Sequence, residues 1–313
     1  MALFALKRLA LVPFLLVMAS VVAFLLDSAS GGDPASISLR AKGVPITEKT
    51  LEAEKRDLGI RDDSPLLGYL SWLKRAARLD FGLSFQTGKP VLRELKERFP
   101  VSFLLAFFAT LSGLVFGILL GVLAARYPDG PPDSFVKILS SAGASVPDFC
   151  LAIILLYVFG VYFNLVPTVA GNNPKNLLLP TLAVTPAPAS LYAMEIRSSL
   201  LETKNKLFMK AQEARGLSPT ATLVFHGLPN VMTPIVTLAA MSFRRILGGL
   251  VACELIFSIN GMGKFALDSV TQRDLPVIQG YVVIMTLCVI LVTLFLDILS
   301  SLLDPRVKKE AFY

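Results

Sequence analysis

The stretch Val101–Ala125, VSFLLAFFATLSGLVFGILLGVLAA, runs without a single charged residue. A helix needs about 20 consecutive apolar residues to cross the hydrocarbon core of a bilayer, and this stretch is long enough. Gly113, Gly117 and Gly121 recur at every fourth position, two overlapping G-x-x-x-G units on one helix face. Glycine there lets a second helix come close, so the expected chain is all-α, a packed bundle of membrane helices.

Apolar runs on either side predict a polytopic transmembrane helical bundle of about six spans. A first run at about Leu9–Leu26 is followed by Val101–Ala125, Lys137–Leu165, Leu177–Arg197, Val231–Phe257 and Val277–Leu303. The first run exceeds the usual signal-peptide core of about 7–15 residues. A retained anchor is therefore expected in preference to a cleaved signal, although Ser28, Ala29 and Ser30 follow it. Residues 27–100 are rich in charge, with amphipathic stretches at Leu66, Leu67, Tyr69, Leu70, Trp72 and Leu73 and again at Val91–Phe99. They read as a small, partly helical extracytoplasmic region. The predicted organisation is 1–26 for the N-terminal end and first span, 27–100 outside, and 101–313 for a core of five spans.

Basic residues set the expected orientation. Lys7 and Arg8 flank the first run, and Arg126, Lys204, Lys206, Lys210, Arg215, Arg306, Lys308 and Lys309 fall in segments expected inside. By the positive-inside rule both termini are expected to be cytoplasmic. Only 17% of residues are charged, 54% are hydrophobic and mean hydropathy is +0.65; a soluble domain averages about 25% charged residues. The net charge of +7 is scattered at the ends of apolar segments, without the dense basic patch of a nucleic-acid-binding face. Cys150, Cys253 and Cys288 form no C-x-x-C pair and read as small buried hydrophobes.

Enzyme chemistry lacks its parts. His226 is the one histidine, which leaves neither a histidine metal cluster nor a Ser-His-Asp triad. Gly263-Lys264-Phe265 and Gly88-Lys89-Pro90 lack the upstream glycine and the Ser or Thr of a phosphate loop. No cofactor is expected in this chain, and ATP-driven work requires a partner that hydrolyses ATP. Pro147, Pro180, Pro186 and Pro188 break helices in apolar surroundings, which suits a transport path or plain packing equally.

The segment 198–230 is too long for a simple inside turn and is amphipathic. Lys210 to Leu217 predicts a short helix stopped by Gly216, after which Ser218 caps a second helix with Pro219 at its first position. Such an element could dock into another protein or rest on lipid headgroups.

The same segment resembles the cytoplasmic coupling loop of importer permeases of the ABC class, whose pattern is E-A-A, three residues, Gly, nine residues, I-x-L-P. Ala211, Gly216, Leu228 and Pro229 match it; Lys210, Gln212 and His226 depart from it. Ala214-Arg215-Gly216-Leu217 and His226-Gly227-Leu228-Pro229-Asn230 are similar to the peptide/nickel branch, with Pro229 in place of its Arg. So are Gly32-Asp33-Pro34, Leu79-Asp80-Phe81-Gly82-Leu83-Ser84, Arg197-Ser198-Ser199, Glu254-Leu255-Ile256-Phe257, Arg273-Asp274-Leu275-Pro276 and Asp304-Pro305-Arg306, in that order. The chain resembles the first permease subunit of the dipeptide/oligopeptide/nickel importers. That resemblance implies a type I ABC importer permease fold, a second homologous permease, two ATPase subunits holding ATP-Mg, and an extracytoplasmic substrate-binding protein. It also implies that Lys210, Ala211, Glu213, Ala214, Arg215, Gly216, Leu217, His226, Leu228 and Pro229 couple to the ATPase.

Arg244 and Arg245 interrupt the fifth predicted span about 20 Å along it, at 1.5 Å per residue. An Arg at a span centre costs roughly 2.5–3.5 kcal/mol on insertion, so each should face something polar. Either they line a translocation path and contact a carboxylate-bearing cargo, or they pair with Glu254, Asp297 or a partner subunit. Glu254 is a further residue expected on the path, and Asp297 is expected to hold helices together. The short loop Asn164–Asn176 resembles nickel and metallophore members more than dipeptide ones, yet composition does not separate peptide from chelate cargo. An ion-coupled secondary transporter is the alternative, although no internal repeat is evident.

Overall fold

The computed structural model describes residues 2–29, 33–58, 65–167 and 174–303. Gly31–Gly32, residues 168–173 of the 164–176 loop, the Asp297 side chain and the tail at Asp304-Pro305-Arg306 lie outside the described residues. Among the described residues the regular structure is helical, apart from one isolated bridge between Leu83 and Pro90. The helices begin with α1 (Ala2–Ala29), α2 (Pro34–Ala41), α3 (Glu48–Asp57), α4 (Pro65–Ala76), α5 (Val91–Arg126), α6 (Pro131–Ser145) and α7 (Asp148–Leu155). They continue with α8 (Leu178–Val184), α9 (Pro186–Lys204), α10 (Leu207–Ala214), α11 (Pro219–Ala221), α12 (Leu228–Gly249), α13 (Val251–Ile256), α14 (Met262–Thr271) and α15 (Leu275–Leu303).

Three of these stretches are long and apolar enough to cross a membrane unaided: Val91–Arg126, Pro219–Gly249 and Leu275–Leu296. A fourth is a broken pair, Pro131–Ser145 with Asp148–Tyr162, bent by 97° where Val146 and Pro147 interrupt it. The first predicted span appears as a shorter apolar segment, Val12–Leu25, within α1. Boundaries differ from the sequence expectation at several spans; the expected fifth, Val231–Phe257, is an apolar helical stretch from Pro219 to Gly249 followed by the separate α13. The second span begins at Val91, because the amphipathic stretch before it continues into the same helix through Pro100. The expected span Leu177–Arg197 is two helices, α8 and α9, broken at Thr185 before Pro186, and α9 runs on to Lys204. Proline supplies no N–H to the ladder, and the break follows from that.

The chain divides into two compact units. One comprises Val101–Ile259 with the segment from Thr293, and α9 lies at its centre. A Cβ on Gly117 would stand 2.5 Å from Tyr192 Cβ, and one on Gly121 would stand 2.7 Å from Ile196 Cβ. The glycine face of α5 is thus the contact with α9, at a separation no larger residue allows. Tyr192, Ile196, Leu200, Met209, Leu223, Val231 and Ile235 form the buried core of this unit. Near its rim, Arg197 on α9 grips the fully buried Asp133 of α6 with Nε and Nη2, the latter at 2.7 Å. Lys137 Nζ reaches the same carboxylate at 2.9 Å.

The other unit comprises Ala2–Pro100 and Asn260–Val292. Here Phe81 and Val91 pack on Gly280, where a Cβ would come within 2.8 Å of Val91 Cγ1. Asp274, buried, receives bonds from the 84–86 turn. Between α2 and α3, the buried Glu54 carboxylate accepts from Ser38 Oγ at 2.6 Å and from Lys42 Nζ.

Candidate coupling surface and cavity

After α9 the chain turns at Asn205–Lys206 into α10, whose Met209 is 1% exposed and belongs to the core. The helix ends as the sequence predicts. Gly216 has φ +85°, its N–H bonds to Glu213 O at 2.9 Å, and Leu217 N bonds to Gln212 O at 3.3 Å. These are the two bonds of a Schellman cap, which needs a left-handed residue where glycine sits. Ser218 Oγ then accepts from Ala221 N at 3.3 Å and Pro219 opens α11.

Lys210, Ala211, Glu213, Ala214, Arg215, Gly216 and Leu217 are all exposed. Leu207 and Phe225 stand out further, at 84% and 72% exposure. From Thr222 to Gly227 the backbone is π-helical. Gly227 is pressed against the core, where a Cβ would meet Leu200 Cδ2 at 2.9 Å and Met209 Cε at 3.3 Å. His226 is half-buried and its carbonyl accepts from Asn230 Nδ2 at 2.6 Å. Leu228 is half-buried against the core, and Pro229 is exposed in the first turn of α12. The element is an elbow: its outer face is bare, and Met209 and Gly227 root its inner face in α9.

The predicted path residues separate. Arg245 lines a cavity of about 440 Å³ together with Ser145, Pro147, Asp148, Pro188, Gly249 and Cys253. Arg244 is half-buried and donates weakly to Thr293 Oγ1 at 3.4 Å. Glu254 is fully buried and accepts from Ser102 Oγ at 2.5 Å; it is not among the residues lining that cavity. Sequence reasoning missed Asp148. Its signal was present, a carboxylate following Pro147 inside an apolar run, where a helix break and a charge coincide.

An all-helical membrane chain with broken helices about a cavity and a bare helix–glycine–helix elbow has the build of a transport permease. Residues 117–309 match the model of the binding-protein-dependent transport system inner membrane component, and the chain belongs to that family of ABC importer permeases. It is 32% identical to the glutathione transport system permease protein GsiC of Escherichia coli (strain K12), covering 97% of this chain and 98% of that one. Identity is also 32% to the metal-staphylopine import system permease protein CntB of Staphylococcus aureus, over 98% of this chain and 99% of that one. The dipeptide transport system permease protein DppB of Bacillus subtilis is 35% identical over 85% of this chain and 88% of its own. The fold matches that in the inward-facing MetNI methionine ABC transporter with a TM-score of 0.56, covering 67% of this chain and 96% of that chain at 18% identity. The chain is thus a multi-pass inner-membrane permease subunit, not itself catalytic, of an ABC importer with ATPase partners. The ion-coupled alternative is set aside by this membership.

Proposed function

We propose that this chain is the first of two related permeases in an importer completed by two ATPase subunits and an extracytoplasmic binding protein, carrying peptides or nickel and other metal chelates inward. Both termini face the cytoplasm, ATP-Mg binds only in the ATPase subunits, and the exposed side of the elbow from Lys210 to Leu217, continued by His226, Leu228 and Pro229, rests on one of them. The elbow supports this reading best. Its bare apolar groups, Leu207 and Phe225, suit a protein partner, and its inner side chains are packed too tightly to yield. Closure of the ATPases displaces the elbow, and Met209 and Gly227 pass that displacement to α9 and α12 as rigid bodies. Because α9 and α12 both contribute to the walls around Arg245, the cavity changes access as they move.

The test is cross-linking in the intact assembly, with a cysteine in place of Glu213, combined with uptake into vesicles loaded with ATP. A cross-link to the ATPase that blocks uptake is expected. An intact assembly that yields no such cross-link refutes the docking, and uptake that needs no ATP refutes the importer.

A further inference from the structure

Three helix breaks meet at the cavity beside Arg245. The bend at Val146–Pro147, the break flanked by Val184 and Ala187, and the α12–α13 junction at Gly249–Leu250 all contribute to its wall. Backbone groups freed at such breaks cannot face hydrocarbon and are tolerated where they line a water-filled space. Asp148 and Arg245 are the charged residues among those lining it, and both side chains are exposed. They come from different helices, α7 and α12, and no ion pair joins them. A carboxylate and a guanidinium in a membrane chain each carry a large insertion cost, and mutual contact is the obvious way to reduce it. Here both line the cavity close enough for the Arg245 charge to act on Asp148, yet no hydrogen bond joins them, so each keeps its hydrogen-bonding capacity for something that enters.

On the reading of this chain as an importer permease, we infer that Asp148 and Arg245 form a two-point selectivity site for zwitterionic, peptide-like cargo. Asp148 accepts from the cargo ammonium, and the planar Arg245 guanidinium donates two parallel N–H bonds to its carboxylate. Cargo that carries only one of the two charges leaves the other protein charge unsatisfied and is held less well.

The experiment is equilibrium binding of labelled glycyl-leucine to the purified permease–ATPase assembly without the binding protein, so that the binding protein imposes no selection of its own. Asp148→Asn and Arg245→Gln are each expected to weaken binding about tenfold or more, the scale of one lost charge-assisted contact. With N-acetyl-glycyl-leucine the wild type and Asp148→Asn should bind alike, while Arg245→Gln still weakens binding. Arg245→Lys should restore part of the loss, and ATPase activity of each assembly checks that it is intact. Wild-type affinity in either variant, equal loss for free and acetylated peptide in Asp148→Asn, or no peptide binding by the wild type overturns the inference. The importer reading fails separately, through loss of ATP-driven uptake in vesicles.

Discussion

Ser84 donates its hydroxyl to the Asp274 carboxylate at 2.5 Å, joining two positions 190 residues apart in the chain. The same carboxylate accepts from Phe85 N at 3.1 Å and Gln86 N at 3.3 Å. Ser84 Oγ accepts in turn from Thr87 N at 3.0 Å, so one buried anion organises the whole turn. Two short sequence patterns, Leu79–Ser84 and Arg273–Pro276, are thereby one structural feature, with Phe81 seated on Gly280 just beyond the second.

Asp274→Asn turns one acceptor oxygen into a donor that faces other donors. Leaving buried groups unpaired costs about 1–3 kcal/mol each, so a loss of about 2–3 kcal/mol is expected. Ser84→Ala removes the bond given to Asp274 and the two accepted from Gln86 N and Thr87 N, part-buried amides that water can still reach, and should cost about 1–2 kcal/mol. Thermal unfolding of the detergent-purified assembly checks both, and the order of the two losses is the decisive result.

Gly117→Ala should be far more damaging than its size suggests. The added Cβ meets Tyr192 Cβ at 2.5 Å, so α5 and α9 must separate, and overpacking of this kind costs about 1–3 kcal/mol. Gly248→Ala is the control, because a Cβ there meets nothing within 4 Å. It should be neutral, or stabilising by about 0.5–1 kcal/mol through helix propensity. Melting temperatures that move alike for both variants would contradict the close-contact account.

The glycine face of α5 was legible because a four-residue spacing and a missing Cβ have one physical use in a membrane helix. Gly216, Ser218 and Pro219 were legible for the same reason: caps are local chemistry, and local chemistry is written in adjacent residues. Asp133 and Asp274 were not legible as sites, and Asp148 only through the charge that follows Pro147. Each acts through a partner brought near by packing, Arg197, Ser84 and the cavity wall respectively, and no spacing rule connects positions 64 or 190 residues apart. The fourth predicted span was legible in part. Pro186 marked a break in the sequence, but the continuation of α9 to Lys204 is not written in the hydropathy.

Asp133 is fully buried and held by Arg197 from another helix. Losing Arg197 still leaves the carboxylate with Lys137 Nζ and Asp129 N, both at 2.9 Å, so the cost falls below the about 3–5 kcal/mol of a buried pair broken outright. Arg197→Ala is therefore expected to weaken the α6–α9 contact by about 1.5–3 kcal/mol, the scale of a lost hydrogen bond between charged groups. Arg197→Ala with Asp133→Ala should be milder than the sum of the singles, since the contact the two share is lost only once. A double-mutant cycle on unfolding free energies tests this, and strict additivity would show that the pair is not coupled.

Glu54 gives the α2–α3 contact an acid sensitivity. Burial pushes its carboxyl up, but hydrogen bonds from Lys42 and Ser38, with the Lys42 charge, outweigh it and hold the group below the usual carboxylate range. The folded state thus binds the proton more weakly than the unfolded chain. Its stabilisation is complete above the ordinary carboxylate value of about 4.3, and is lost as pH falls through the lowered folded value. Protection of α2 and α3 amides from hydrogen exchange, taken relative to the intrinsic rate at each pH, should fall across that acid window in the wild type. In Glu54→Gln the acid step should vanish, and a step that persists there would assign the sensitivity to another group.

Gly216→Ala separates a lever from a passive connector. Open space surrounds the position, so no clash arises, and the whole effect comes from forcing a Cβ into a backbone at φ +85°. Left-handed geometry costs an ordinary L-residue roughly 1–2 kcal/mol, enough to unwind the Schellman cap for part of the time. An elbow with a loosened cap bends before it transmits, so ATP hydrolysis should continue while cargo moved per ATP falls. Gly216→Asn, which tolerates the left-handed region better, should lie between alanine and wild type. A connector that merely rests on headgroups has no need of stiffness. In that case all three proteins would transport with the same yield per ATP, and the coupling role assigned to this elbow would be lost.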